Sequence, residues 1–371
     1  IERVSYHMNS KHLDQRSDDA KRKTDGSAFN SPKKLKWSLK QERKLQLDAE
    51  EAAREAWILA NKDICQRLTL SDVAKIKAKI AANVIPDDIS PYVNLKVNSD
   101  SSFLRRNRFI AEGSETVRVL LQQVGNQQDS SYSSHVIILS IMVKPSSFFG
   151  NPVHLQKTYE SSHKRFRPKV FIADEKVFSE IAGFPVARGA MACGLPVFME
   201  ETLFLEMAMQ YKENVRILVL DGITNPTDMG SIIRCAAAFG IKAVVFSKDC
   251  CDPWCRQAVR VSMGYISLVS LVRLEKWSMQ AIIQRLGEYG ILSYAAVFDS
   301  EIQLEQMSKG DVSNSWCLVL GQDKNGNSRE VADVCSFRLG LSTANTKDIL
   351  SVSVNAGIFL HGLAEKSALF K

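Results

Sequence analysis

The chain has 371 residues, 45% apolar and 24% charged, enough for two packed domains and too apolar for disorder to dominate. A formal net charge of +7 favours encounter with polyanions such as nucleic acid. No run approaches the ~20 apolar residues of a membrane helix, and eight cysteines without paired spacing exclude a disulfide framework and point to a reducing, intracellular setting.

Residues 1 to about 35 are polar and poor in large apolar groups, so they bury too little surface to offset their ordering entropy. From Leu35 to Asn61 the pattern is that of a solvated helix. Residues 1–60 are therefore expected to be a basic extension, largely disordered or helical. The chain begins at Ile1 rather than Met, which implies a missing N-terminal stretch and leaves cytoplasm, nucleus and organelle open.

Residues 61–200 alternate strand-like and helical stretches, the pattern of a small α/β domain. Arg108–Gly113 reads as a strand leading into a helix over Ser114–Gln122, with Ser114 as its N-cap. His135–Val143 and Val170–Ala173 read as further strands, the second followed by a helix from Asp174 to Ile181. Two basic clusters suit phosphate neutralisation. One contains Arg105, Arg106 and Arg108, and the other Lys164, Arg165 and Arg167 around Phe166.

Residues 201–213 read as a helical connector, and a second α/β domain follows over 214–371. Val215–Leu220 is a continuous apolar run, as expected of a strand buried on both faces. A loop, a helix from Met229 to Phe239 and a strand at Ala243–Phe246 complete a βαβ unit. Further strands are expected at Ile266–Leu271, Leu292–Phe298, Cys317–Leu320 and Arg338–Leu341, before a closing helix from Ile349 to Leu363. The cluster Cys250-Cys251-Asp252-Pro253-Trp254-Cys255 lacks a second pair at metal-ligand spacing, so no metal is expected.

Ligands of open α/β sheets bind beyond the carboxyl ends of strands, so three loops carry the candidate chemistry: 221–230, 321–327 and 342–353. None contains Gly-x-Gly-x-x-Gly after a strand. Gly321 and Gly326 have P-loop spacing, but Asn327 and Ser328 replace its Lys-Ser/Thr pair. Dinucleotide and P-loop binding are excluded.

Four motifs stand in order here. They are Asn225-Pro226 with Gly230 and Arg234; Asp252-Pro253 with Arg260, Ser262 and Gly264; Leu318–Gly321 with Gly326; and Val352–Ile358. Together they resemble the SpoU (TrmH-like) family of RNA 2′-O-ribose methyltransferases, in the SPOUT superfamily. Phe109–Gly113 and residues 170–190 are similar to that family's N-terminal RNA-recognition domain. The resemblance implies a parallel α/β sheet whose C-terminal segment threads a deep trefoil knot, a homodimer, and S-adenosylmethionine as cofactor. By position the cofactor contacts would be Gly321, Leu341 and Leu350, with Leu320, Gln322 and Gly326 close by. The implied reaction is methyl transfer to a ribose 2′-hydroxyl of transfer or ribosomal RNA, with Arg234 and Asp228 as the candidate catalytic residues. A guanidinium, with a pKa above ~12, suits binding the target phosphate and positioning the ribose better than general base work.

The chain departs from the family pattern in places. Asp228 stands where asparagine is usual, Asp323 replaces a glutamate, and Ile349 and Ser351 replace serine and asparagine. An ionised aspartate only accepts hydrogen bonds, whereas asparagine also donates. A degenerate member that binds structured RNA without methylating it is therefore the alternative expectation.

Overall fold

The computed structural model describes residues 32–82, 88–95, 107–124, 136–150, 155–162, 167–186, 189–298, 300–321, 329–344 and 350–367. The expectation of disorder over the N-terminal stretch falls almost wholly outside them. The described residues divide into two units between Ala56 and Trp57.

The first helix, α1 (Pro32–Ala60), starts on a proline, whose missing N–H costs nothing in a first turn. A Glu50–Arg54 pair at 3.4 Å follows helical i,i+4 spacing.

The second unit opens with β1 (Cys65–Leu68) and α2 (Leu70–Ala81). Thr69 and Asp72 form a reciprocal capping box that fixes where α2 begins. Then come β2 (Phe109–Glu112), α3 (Ser114–Gln123), β3 (Ile137–Val143), α4 (Pro145–Phe149), α5 (Leu155–Ser161), β4 (Lys169–Ala173), α6 (Glu175–Ala182) and β5 (Ala190–Leu195). The sheet order is β1-β4-β3-β5-β2, with β1, β4 and β3 mutually parallel and β5 antiparallel to both neighbours. Three readings change here. Gly113, not Ser114, caps α3, at φ 101°, a backbone shape that glycine adopts freely. Both β1 and β5 lack the alternation that would have marked them in the sequence.

The remaining elements are α7 (Glu201–Gln210), β6 (Arg216–Asp221), α8 (Pro226–Ala238), β7 (Ala243–Phe246), α9 (Arg256–Val261), β8 (Ser270–Arg273), α10 (Met279–Glu288), β9 (Leu292–Ala296), β10 (Trp316–Gly321), α11 (Arg329–Ala332), β11 (Phe337–Leu339) and α12 (Val352–Lys366). Their six strands are all parallel, in the order β11-β9-β10-β6-β7-β8. From β6 the chain moves outward to β7 and β8, then crosses to the other side of β6 for β9 and β10. The switch point lies between β6 and β10, where Asp221 pairs with Gly321.

Alternate residues of this sheet feed two cores. Ile217, Val219, Val245, Val272 and Val319 meet α7 and α10 on one face. Leu218, Leu220, Val244, Leu318 and Leu320 meet α8 and α12 on the other. Burial of each such side chain contributes about 1.5–3 kcal/mol. The second core is continuous with one face of the first sheet, through Phe109, Ala111, Ile141, Val170 and Ala192.

Three expectations shift here. The strand expected at Ile266–Leu271 is a 3-10 turn over Tyr265–Leu268 followed by β8, because Gly264, at φ 82°, reverses the chain. The helix after β6 starts at Pro226 rather than Met229, since Asn225 caps it. The closing helix starts at Val352, capped by Ser351, rather than at Ile349. No described helix is long and apolar enough to cross a membrane.

Candidate functional site at the carboxyl edge of the parallel sheet

The loop after β6 is held from several sides. Gly222, at φ 65°, donates its N–H to Ser247 Oγ at 3.0 Å, and Ile223 N–H donates to Cys250 Sγ at 3.2 Å. Asn225 Oδ1 accepts from Thr227 N–H at 2.9 Å and so starts α8. Burial pushes the Cys250 thiol above its ordinary pKa, which suits a structural acceptor rather than a thiolate.

Two glycines set how closely helices approach α8. A Cβ on Gly230 would lie 2.6 Å from the Ala258 carbonyl and 2.8 Å from Val261 Cβ, so α9 packs directly on the α8 backbone. A Cβ on Gly357 would lie 3.7 Å from Cys235 Sγ, which leaves α12 in ordinary contact with the same helix. Burial raises the Cys235 thiol pKa, and neighbouring Arg234 pulls it partly back.

The first and third motifs meet at Asp228. Ser353 Oγ donates to Asp228 Oδ1 at 2.7 Å, tying the first turn of α12 to the first turn of α8. The carboxylate also sits at the positive end of the α8 dipole. Arg234, two turns further along α8, is exposed and has no ion-pair partner among the described residues.

The sequence-derived cofactor residues fall around the same edge. Leu320 is buried in β10 and Gly321 ends that strand beside Asp221. Leu341 and Leu350 are half-buried, one just past β11 and the other just before α12. Neither spends its backbone N–H or C=O on a hydrogen bond to another described residue. Gln322, Gly326, Asp323 and Ile349 lie outside the described residues. Close by, Gly340 bonds on both sides to the β9–β10 connection: its N–H donates to the Ile302 carbonyl and its carbonyl accepts from Leu304 N–H. Gln303 Oε1 is buried there without a partner among the described residues. Half-buried backbone groups just past β11 and just before α12 can supply the donors and acceptors a purine ring needs, so the arrangement fits a nucleoside-bearing cofactor.

Sequence reasoning missed two connections. Gln257 Nε2 donates to Thr227 Oγ1 at 2.6 Å, joining α9 to the first turn of α8. Arg256, its neighbour, pairs with Glu112 on β2 and donates to the Leu95 carbonyl at 2.5 Å. Beside them Phe109 stacks on Trp254 with centroids 4.5 Å apart. Helix α9 therefore bridges the first sheet and α8; no local pattern announces this.

Of the basic clusters, Arg105, Arg106, Lys164 and Arg165 lie outside the described residues. Arg108 is half-buried at the start of β2. Arg167 donates to the carbonyls of Glu160 and Ser162 and lies 5.6 Å over the Tyr159 ring, so it closes the end of α5.

An all-parallel sheet with loops gathered at its switch point defines an α/β fold whose candidate ligand site is the β6–β10 edge. Solved structures share this fold. An S-adenosylmethionine-bound rRNA methyltransferase of Sinorhizobium meliloti is 18% identical with a TM-score of 0.59, matched over 83% of this chain and 99% of that one. The SpoU methyltransferase AviRb of Streptomyces viridochromogenes is 14% identical with a TM-score of 0.55, over 73% and 93%. Residues 215–361 match the model of the SpoU rRNA Methylase family. An uncharacterised tRNA/rRNA methyltransferase of Mycobacterium bovis is 25% identical over 186 residues, 50% of this chain and 62% of that protein. The 23S rRNA (guanosine-2′-O-)-methyltransferase RlmB of Vibrio vulnificus is 28% identical over 144 residues, 39% and 56%. The chain thus spans less than two thirds of the length of these curated relatives.

Proposed function

We propose that the chain is an S-adenosylmethionine-dependent RNA 2′-O-ribose methyltransferase acting on ribosomal or transfer RNA. The observation that carries this reading is the meeting of three motifs at one sheet edge: Asp221 beside Gly321, and Ser353 bonded to Asp228. The bound cofactor supplies an electrophilic methyl group. Leu341 and Leu350 would hold its adenine by backbone groups, with Leu320 and Gly321 forming the floor. Arg234 offers an exposed guanidinium that can bind the target phosphate and orient the ribose, and orientation errors of ~1 Å cost ~10²-fold in rate. Asp228 holds the start of α12 against α8, so it keeps the two loops in register.

Four further features belong to the same reading. The chain after β11 threads the β9–β10 connection as a trefoil knot; the bonds of Gly340 to Ile302 and Leu304 on that connection support this. Two copies pair through α12, whose Val354 and Ile358 are 47% and 40% exposed one turn apart. Residues 61–200 recognise the RNA, 201–213 connect, and 214–371 carry the transfer, with the N-terminal extension as a further RNA contact. Free thiols at all eight cysteines suit a reducing intracellular compartment.

One observation favours a second reading, an RNA binder without turnover. The Asp228 carboxylate, in the usual asparagine position, is occupied by Ser353 and cannot donate. Alkaline-cleavage mapping of total RNA with and without the protein separates the two readings. One ribose protected only in its presence, together with calorimetric S-adenosylmethionine binding, is expected of the enzyme. Salt-dependent RNA binding with every ribose cleavable would establish the binder instead.

A further inference from the structure

The connection between β9 and β10 holds the turn after β11 by main-chain and side-chain bonds. Val297 N–H donates to the Leu339 carbonyl at 3.0 Å, and Ser300 Oγ donates to the Arg338 carbonyl at 2.7 Å. Gly340 N–H donates to the Ile302 carbonyl at 2.9 Å, and its own carbonyl accepts from Leu304 N–H at 3.0 Å. Ser342 N–H reaches Glu305 Oε2 at 3.3 Å. Leu341, between them, makes no backbone hydrogen bond to another described residue. In a planar trans peptide the N–H and C=O point in opposite directions. Because the Gly340 carbonyl is turned to Leu304 and the Ser342 N–H to Glu305, the N–H and carbonyl of Leu341 both face away from the connection.

Gln303 lays its side chain on this turn, opposite Gly340 in an isolated parallel bridge. A Cβ on Gly340 would stand 2.8 Å from Gln303 Oε1, 2.9 Å from Nε2 and 3.1 Å from Cδ, so the amide lies face-on over the glycine and excludes any side chain there. Nε2 donates to the Ser300 carbonyl at 2.6 Å, which tethers the amide. Oε1 is then buried with no partner among the described residues. A buried acceptor left unpaired is destabilising, and an apolar side chain would fill the same space without that penalty. The connection beneath is anchored in turn, because Leu304 is buried against α12 at Gly362, where a Cβ would lie 2.5 Å from its Cδ2.

We infer that Gln303 is a positioning residue for the cofactor: its tethered amide fixes Gly340, and through it the direction in which Leu341 presents its backbone to the adenine. A donor and an acceptor turned the same way match the edge of adenine, which offers a ring nitrogen beside an amino group. Glycine at 340 admits the amide but leaves the backbone free to rotate, and the amide lying on it removes that freedom. Preorganisation of this kind raises affinity without adding a contact to the ligand. The inference deepens the cofactor reading given above and rests on it.

The test uses the full chain and calorimetry with S-adenosylhomocysteine, which carries the same adenine but no methyl group to transfer. Gln303→Ala should weaken binding about tenfold, the equivalent of about one net hydrogen bond. The cofactor KM should rise by the same factor while kcat and RNA affinity stay at their wild-type values. Gln303→Met keeps the volume but loses both the tether and the unpaired acceptor. It should show the same weakening with a urea midpoint no lower than wild type. Gly340→Ala displaces the amide, so adding it to Gln303→Ala should weaken binding no further. Wild-type affinity in Gln303→Met, or a further loss in the double variant, would overturn the positioning role while leaving the cofactor reading standing. Parallel falls in cofactor affinity, RNA affinity and urea midpoint would make Gln303 a packing residue instead. Absence of S-adenosylhomocysteine binding by the wild-type chain overturns both the positioning role and the cofactor reading.

Discussion

The two sheets put their chemistry in different places. In the second, six parallel strands send every carboxyl end to one side, so loops distant in sequence collect at the β6–β10 switch point. In the first, β5 runs against β2 and β3, so its connections divide between both ends and no single edge gathers them. A parallel sheet concentrates motifs that a reader of the sequence can recognise by order and spacing. A mixed sheet divides its loops between two ends, so no ordered set of motifs marks one edge of it.

The largest effect expected breaks the chemistry of the second sheet without touching its fold. Arg234→Ala should lower methyl transfer by about 10²-fold, because the target ribose loses its orienting cation. Its urea midpoint should stay at the wild-type value, since the side chain is exposed. Equal loss of stability would make Arg234 a structural residue.

Next come the close approaches around α8. Gly230→Ala places a methyl group against the Ala258 carbonyl and Val261 and should cost about 2–3 kcal/mol in urea unfolding. The equivalent change at Gly222, where a Cβ meets nothing within 4 Å, strains only a turn and should cost about 1 kcal/mol.

The junction between the sheets is tested by Glu112→Gln. Glu112 is largely buried, and Arg256 is about a quarter exposed, which softens the loss of their ion pair to about 1–2 kcal/mol. Limited proteolysis should then cut more readily near residues 196–200, the irregular stretch between β5 and α7. Unchanged cleavage would show that stacking of Phe109 on Trp254 suffices to hold the sheets together.

Smaller still, Ser353→Ala removes the donor to Asp228 and should cost about 1 kcal/mol. A pH effect spans both sheets. Burial pushes Cys65 and Cys335 up to about 11 and Cys251 up to about 12, from an ordinary 9.0. The folded state therefore favours the neutral thiols. Their contribution is complete below pH 9.0 and is lost as pH rises towards the folded values. The urea midpoint should decline across that window; a flat profile would remove the burial argument.

Much of the second sheet was legible because its strands are continuous apolar runs and its loops carry glycine, asparagine and proline at fixed spacing. Arg216–Asp221, Ala243–Phe246 and Trp316–Gly321 fall within a residue or two of expectation. The first sheet was less so. Cys65–Leu68 is too short to show a period, and Ala190–Leu195 carries alanine and glycine where strands usually show branched side chains.

The sequence by itself determined the order of motifs, the family likeness of residues 215–361 and the departures at Asp228 and Ser351, because these reside in residue identity and spacing. Only the tertiary structure decided that Ser353 answers Asp228 across 125 positions and that α9 bridges β2 and α8. Such pairings depend on which faces helices turn towards one another. No local sequence pattern encodes a contact that only the folded sheet brings within reach.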